Sequence, residues 1–384
     1  MTDVIAQSLQ RAVSSGAVPM AIGIVADRDG VLYDGSAGVR SPGSDDRVDS
    51  NSLLRMASMT KIVTTVAALH AVEEGLLNLA APVASYCPEF ADLKVLEGFD
   101  GDTPRLRAPA TQATVHQLIT HTSGLGYDVW DGDLFRWAQI TGTPSILERK
   151  RAVFATPLTS DPGTRWEYSL STDWLGLVLE AVCGKPLDQV VRDRVTGPLG
   201  MDDTGFSPEE LDMARAVPTH TLAGGKWVAA PLTTNPDAEF ISGGGGLWST
   251  PADYAKFQRM LLRGGELDGA RILPETVVEQ AFSNQIGDLS VPGTIPSYNL
   301  AASAPFDFGD GHKWGYGLLL NTATKPGHRR AWSGCWWGLI NTHYWIDRDS
   351  GITASFYSQL LPFYTPEYVS ALDDFEQAVY ETYP

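Results

Sequence analysis

Ser58 and Lys61, in the stretch "RMASMTKIVTTVAALHAVEEG" from Arg55 to Gly75, are the residues of this chain whose types and spacing first point to chemistry. The apolar residues Met59, Ile62, Val63, Val66, Leu69 and Val72 recur at three- and four-residue steps, which predicts an amphipathic helix from about Ser58 with one buried face. On a helix that spacing puts the hydroxyl and the amine on one face, within reach of each other. A serine hydroxyl is a poor nucleophile unless a base takes its proton, and a lysine serves as that base only where its surroundings bring its pKa well below the free value of about 10.4. Burial and the positive end of a helix both push that way, so a placement unfavourable for stability suits a general base. The Ser58 N–H is also one of the unpaired donors of a helix start and can face an oxyanion on an acyl carbon. The chemistry implied is acyl transfer through a serine. A solvent-facing lysine after an N-cap serine would carry the same letters, but the pattern occurs once in the chain.

The elements that must hold this pair are of mixed type. Met20 to Val39 reads as a hairpin turning at "DRDG", with a helix before it and the Ser58 helix after it. From about Ala80 to Gly224 short helical segments alternate with Pro- and Gly-containing loops, and "PGTRWEYSLSTDWLGLVLEAVCG" contains a helix from Thr172 ended by Gly184. The glycine run in "SGGGGLWSTPADYAKF" precedes a helix capped by Ser249 or Thr250. Strand texture then returns in "WGYGLLL", "RRAWSGCWWGLINTHYWID" and "GITASFYSQ", and Pro366 to Tyr383 reads as a closing helix. Neighbouring strand runs favour antiparallel pairing. We expect an α+β architecture: residues 1–79 with 225–384 form a domain with an antiparallel sheet, and 80–224 form a helical domain inserted into it.

With 384 residues, of which 43% are hydrophobic and 19% charged, the chain can bury a large core. A formal net charge of −18 argues against nucleic acid or an anionic membrane as partner. Cys87, Cys183 and Cys335 are odd in number and widely spaced, so neither a disulfide framework nor a metal site is indicated, and no cofactor is called for. The opening "MTDVIAQSLQ" has no basic region leading into an apolar run, and a reducing cytoplasm is the expected location.

Five motifs, "SMTK", "LITHTSGLGY", "PGTRWEYSLSTDWLG", "SGGGGLWSTPADYAKF" and "WSGCWWG", stand in an order that resembles the serine β-lactamase and penicillin-binding-protein superfamily. The chain looks most like its class C branch and, within that, the family VIII carboxylesterases. The resemblance implies a β-lactamase-like fold with an antiparallel sheet of about five strands flanked by helices, and an active site between sheet and helical domain. It implies Tyr168 of "YSLS" as second base beside Lys61, and a KTG-type strand at Trp332, Ser333 and Gly334, with the Cys335 N–H joining that of Ser58 in the oxyanion hole.

Two departures from the pattern bear on substrate. Trp332 stands where β-lactamases carry lysine or histidine, and Leu170 where they place asparagine after the tyrosine; both point from β-lactams towards uncharged esters. His121 of "THTSGL" reads as a structural or substrate-facing residue rather than a base, and Tyr127 with Trp130, Phe135 and Trp137 forms either a pocket wall or core. No GxSxG elbow is present. The expected partner is a small-molecule ester, cleaved by a carboxylesterase. The alternatives are an acyltransferase, a class C-type β-lactamase or D-aminopeptidase on the same site, and a catalytically silent binding relative.

Overall fold

The computed structural model describes residues 3–233 and 235–384. Helix α1 (Val4–Ser14) starts where the Asp3 carboxylate accepts the Ala6 N–H, and buries Ile5, Leu9 and Ala12. The expected hairpin follows: β1 (Met20–Ala26), buried throughout, pairs antiparallel with β2 (Val31–Gly38). Its turn is closed by Asp27, whose carboxylate accepts the N–H groups of Asp29 and Gly30.

The other strands come from the C-terminal part of the chain: β3 (His312–Trp314), β4 (Leu319–Asn321), β5 (Gly334–Gly338), β6 (Thr342–Asp347) and β7 (Ile352–Tyr357). They form one antiparallel sheet in the order β3-β4-β5-β6-β7-β1-β2. The sheet thus has seven strands where about five are expected. The two additional strands are three residues each, too short to display an alternation, and "WGYGLLL" is not one strand but the turn and flanks of a hairpin that pairs Trp314 with Leu319.

Successive residues of β7 show how the two faces of the sheet are covered. Ser355 bonds Gln258 on α4 (Pro251–Leu262), while Phe356 packs on Phe375 of α5 (Pro366–Thr382). Helix α1 lies beside α5 on the same face. Thr250 caps α4 by accepting the Asp253 N–H.

Helix α2 (Thr60–Glu73) departs from expectation. It is buried continuously from Thr60 to Leu69, so it has no polar face. It packs on α3 (Ser171–Cys183), and two of the threonines that break its apolar pattern bond inside the protein: Thr60 donates to the Ala57 carbonyl at 2.6 Å and Thr64 to the Gly243 carbonyl at 2.8 Å. Between residues 80 and 224 the chain carries short helices, the hairpin Val95–Asp100/Thr103–Arg107 and α3, which ends at left-handed Gly184. Residue 224 itself lies in the turn of the hairpin His220–Ala223/Lys226–Ala229. One continuous apolar core runs from α2 through Trp174, Leu175 and Val178 of α3. Among the described residues no helix is long and apolar enough to cross a membrane.

Candidate active site

Ser58 sits in a single 3-10 turn, Ala57–Met59, that runs directly into α2. Ala57 is held at φ 44°, the left-handed region that a Cβ disfavours, so the turn stores strain at the residue before the serine. One turn on, Lys61 is 2% exposed. Its Nζ donates to Ser58 Oγ at 3.2 Å and to the Gly244 carbonyl at 2.8 Å. The same nitrogen lies 4.8 Å from the ring centroid of Tyr168 and 5.3 Å from that of Tyr127. The Tyr168 hydroxyl accepts the Trp336 indole N–H at 3.1 Å, and its ring is packed by Tyr127, Trp130, His121 and Trp336 at 4.8–5.3 Å between centroids. The structure therefore brings Ser58, Lys61, Tyr168 and Tyr127 together from three separate segments.

What aims the lysine is a residue that the sequence reading passes over. Asp173, 1% exposed in the first turn of α3, accepts the Gly244 N–H at 3.0 Å and the Ser242 hydroxyl at 2.7 Å, and so fixes the carbonyl that Lys61 uses. Glycine is required there, because a Cβ on Gly244 would stand 2.4 Å from the Asp173 carboxylate. An acid set among Leu170, Trp174 and Leu175 is the signal that could have found it, since a carboxylate in an apolar helix must be hydrogen-bonded. Tyr127 reaches the same carboxylate at 3.5 Å, and burial, with Asp173 adding, pushes its phenol well above the ordinary value, so it stays a donor.

His121 does not face substrate. It is 1% exposed at φ 55°, beneath Tyr168, with Nδ1 3.0 Å from the Ser169 hydroxyl, which continues through Ser171 to Ser123. Burial, then the Lys61 charge, hold its pKa well below the imidazole range, so it is neutral and acts by propping the Tyr168 ring. Leu170 is likewise core: its carbonyl heads α3, and its side chain lines an enclosed space with Tyr127, Leu134 and Trp137.

The strand at the cleft carries the main correction. Gly338, not Gly334, meets the nucleophile turn: a Cβ there would come within 2.5 Å of the Met56 carbonyl, whereas one on Gly334 would meet Phe282 and Leu318. Cys335 lies three residues, about 10 Å at the strand rise, up β5 from that contact, its thiol pushed up to about 11 by burial. Trp332 is 45% exposed at φ 65° beside a separate cavity of about 730 Å³ lined by Arg28, Lys325 and Arg330, and Ser333 turns its hydroxyl to the Arg330 carbonyl. Trp332, Ser333, Gly334 and Cys335 are therefore outside the site. The segment Trp332–Gly338 contains Trp-x-Gly twice, at 332–334 and again at 336–338, and the letters cannot say which copy faces Ser58. Register decides for Trp336-Trp337-Gly338-Leu339. The Leu339 N–H makes no hydrogen bond among the described residues. Nor does either upstream arginine supply a cation: Arg329 is locked to Glu376 and lies over Trp345, and Arg330 points out towards Asp349.

This assignment predicts a contrast. Gly338→Val should be damaging twice over, costing about 1–3 kcal/mol from overpacking and removing most ester turnover, because its Cβ also falls 2.2 Å from Thr342 Oγ1. Trp332→Ala should leave kcat/KM within about twofold, as an exposed residue away from the site does. Steady-state kinetics and thermal midpoints on the two variants read both effects.

Known proteins share this fold. A family model described as Beta-lactamase matches residues 4–376. The lovastatin esterase of Penicillium rubens is 32% identical over 367 residues, covering 90% of each chain. Esterase EstB of Burkholderia gladioli is 30% identical over 367 residues, 87% of this chain and 84% of the relative. Among solved structures, the LovD6 mutant of simvastatin synthase from Aspergillus terreus superposes with a TM-score of 0.84 at 28% identity, over 100% of this chain and 96% of that one. A fold with the Ser58 turn at the head of a buried helix and an antiparallel sheet, and a family match over nearly the whole length, lead to one conclusion: this chain belongs to the beta-lactamase family.

Proposed function

We propose that the protein is a serine hydrolase that cleaves small carboxylic esters through an acyl-enzyme on Ser58. The observation that carries the reading is the Lys61 amine, in contact with Ser58 Oγ while facing the Tyr168 ring. With the amine unprotonated, the same contact takes the serine proton as Oγ attacks the ester carbonyl. The oxyanion is met by the N–H groups of Ser58 and Leu339, the second being free for that purpose. Tyr168 gives its phenolic proton to the departing alkoxide and takes in exchange the proton that Lys61 received from Ser58; water then attacks the acyl-enzyme with the same transfers, releasing the acid and the serine hydroxyl. The domain division at 80–224, a cytoplasmic location and a small-molecule ester as partner are parts of the same proposal.

Trp336, not Trp332, is the indole that meets Tyr168. A fused β-lactam holds its carboxylate beside the ring nitrogen, and hence beside β5, where an indole offers no compensating charge. Desolving that carboxylate unpaired costs several kcal/mol, and each ~1.4 kcal/mol is a factor of ten in kcat/KM. The test is p-nitrophenyl butyrate against nitrocefin: the ester should be turned over well and the cephalosporin slowly or not at all. Trp336→Lys should depress the esterase and, if anything, raise the β-lactam rate. A nitrocefin efficiency equal to that of the best ester would replace the esterase reading by a β-lactamase one.

Acyl transfer to an alcohol is the second reading. It is favoured by the aromatic walls of Tyr127, Trp130 and Trp336 around Tyr168, which limit water, and by relatives that include a monacolin J acid methylbutanoyltransferase of Aspergillus terreus, 29% identical over 395 residues.

A further inference from the structure

Behind the nucleophile turn lies a second cavity, of about 380 Å³, walled by Arg55, Arg149, Phe206, Phe240, Ile241 and Trp248. Two stretches of chain join its walls to the site. Arg55 precedes Ser58 by three residues, at most about 11 Å of extended chain, and Ile241 leads into the loop of Ser242 and Gly244 that holds Lys61 in place. The cavity frame is tied together: the Glu239 N–H donates to the Arg149 carbonyl, the Lys150 ammonium to the Asp237 carbonyl and the Asn235 amide to the Glu148 carbonyl.

Glu180, Glu209 and Glu239 also line the cavity, Glu209 exposed, yet among the described residues none forms an ion pair with Arg55 or Arg149. Arg149 is half-buried at φ 52°, and among the described residues its guanidinium makes no ion pair or hydrogen bond. Arg55, also half-buried, stacks on Trp248 at 4.4 Å, and among the described residues its guanidinium donates only to the Thr233 carbonyl. The carboxylates nearby are engaged elsewhere: Glu180 accepts the Leu187 N–H, and Glu239 takes the Arg151 N–H and the Lys150 ammonium. Both guanidiniums are held below the usual arginine value, chiefly by burial, with Arg149 adding to the effect at Arg55. In a chain of formal net charge −18, two adjacent arginines drawn out of water without a carboxylate partner are a cost that an anionic occupant would remove.

We infer that this cavity is an anion subsite of the active site, taking the carboxylate of an ester whose acid or alcohol part ends in one. The inference rests on the esterase reading and names its substrate class. The planar guanidiniums suit a carboxylate held by paired donors, and the indole, phenyl and isoleucine walls suit the methylene chain that leads to it. It does not conflict with poor β-lactam turnover, because a β-lactam carboxylate is fixed next to the scissile bond and cannot span to Arg149.

The test uses two arms and a binding measurement. For the acid arm, mono-p-nitrophenyl esters of adipic and suberic acids are compared with their methyl-capped counterparts. For the alcohol arm, butyrate esters of 4-hydroxybenzoic and 4-hydroxyphenylacetic acids are compared with the corresponding methyl esters. In one arm the anionic member should be preferred by about tenfold or more in kcat/KM, mainly through KM. Arg149→Met should bring that ratio close to one, Arg149→Lys should keep part of it, and added salt should lower it. Calorimetry on Ser58→Ala should detect monomethyl suberate or 4-hydroxyphenylacetate binding more tightly than the neutral diester or methyl ester. Equal turnover and equal binding of charged and neutral members, or a preference untouched by Arg149→Met, overturns the subsite. Loss of turnover for every ester, with the binding preference intact, would instead overturn the esterase reading and leave the anion site standing.

Discussion

Ser58→Ala is expected to lower ester turnover by on the order of 10⁵-fold, the scale seen when a catalytic serine is removed, and to abolish covalent labelling by phosphonate reagents. The fold should survive, since Ser58 is half-buried and, among the described residues, the one hydrogen bond of its hydroxyl is to Lys61. The strain at Ala57 belongs to the turn and would persist in the variant. Intact-protein mass spectrometry after exposure to p-nitrophenyl butyrate reads the acyl-enzyme directly: a mass increment in the unmodified protein and none in Ser58→Ala. An increment that persists at another serine would end this mechanism.

The second large effect concerns the proton-transfer unit. Lys61→Ala and Tyr168→Phe should each reduce kcat by roughly 10³-fold or more, and the double variant should cost little beyond the worse single one, because residues acting as one unit are strongly non-additive. The structure gives a reason for the coupling: Lys61 Nζ has Ser58 Oγ and the Gly244 carbonyl as its hydrogen-bond acceptors and lies over the Tyr168 ring. Lys61→Ala also opens a void beside Asp173 and Tyr127, so its thermal midpoint should fall, while Tyr168→Phe removes only an acceptor for the Trp336 indole N–H. Since burial keeps His121 neutral, the rate–pH profile should carry no limb belonging to a histidine. A limb near pH 6.5 that vanished in His121→Asn would move the base to that residue.

Much of this was legible in the letters. The Ser58–Lys61 spacing, the hairpin from Met20, the helix stop at Gly184 and the cap at Thr250 are local features, set by periodicity and by turn and cap chemistry within a few residues, and the structure places them as read. Tyr168 was reached through ordered motifs rather than local pattern, and the structure seats it against Lys61.

What the sequence by itself determined is which residues could do chemistry; what tertiary structure decided is which of them meet. Two Trp-x-Gly copies four residues apart are equivalent as letters, and both copies keep the same inward parity on a strand, so alternation could not choose between them. Only the packing of Gly338 against Met56 and Ala57 assigns the cleft to the second copy. Asp173 was invisible for a related reason: its partners Ser242 and Gly244 lie about seventy residues away, and nothing local announces a hydrogen bond closed by the docking of two segments. Helix α2 reads as amphipathic because its threonines and lysine are polar by type, yet it is buried from Thr60 to Leu69, since partners on the glycine run satisfy Lys61 and Thr64 inside the protein.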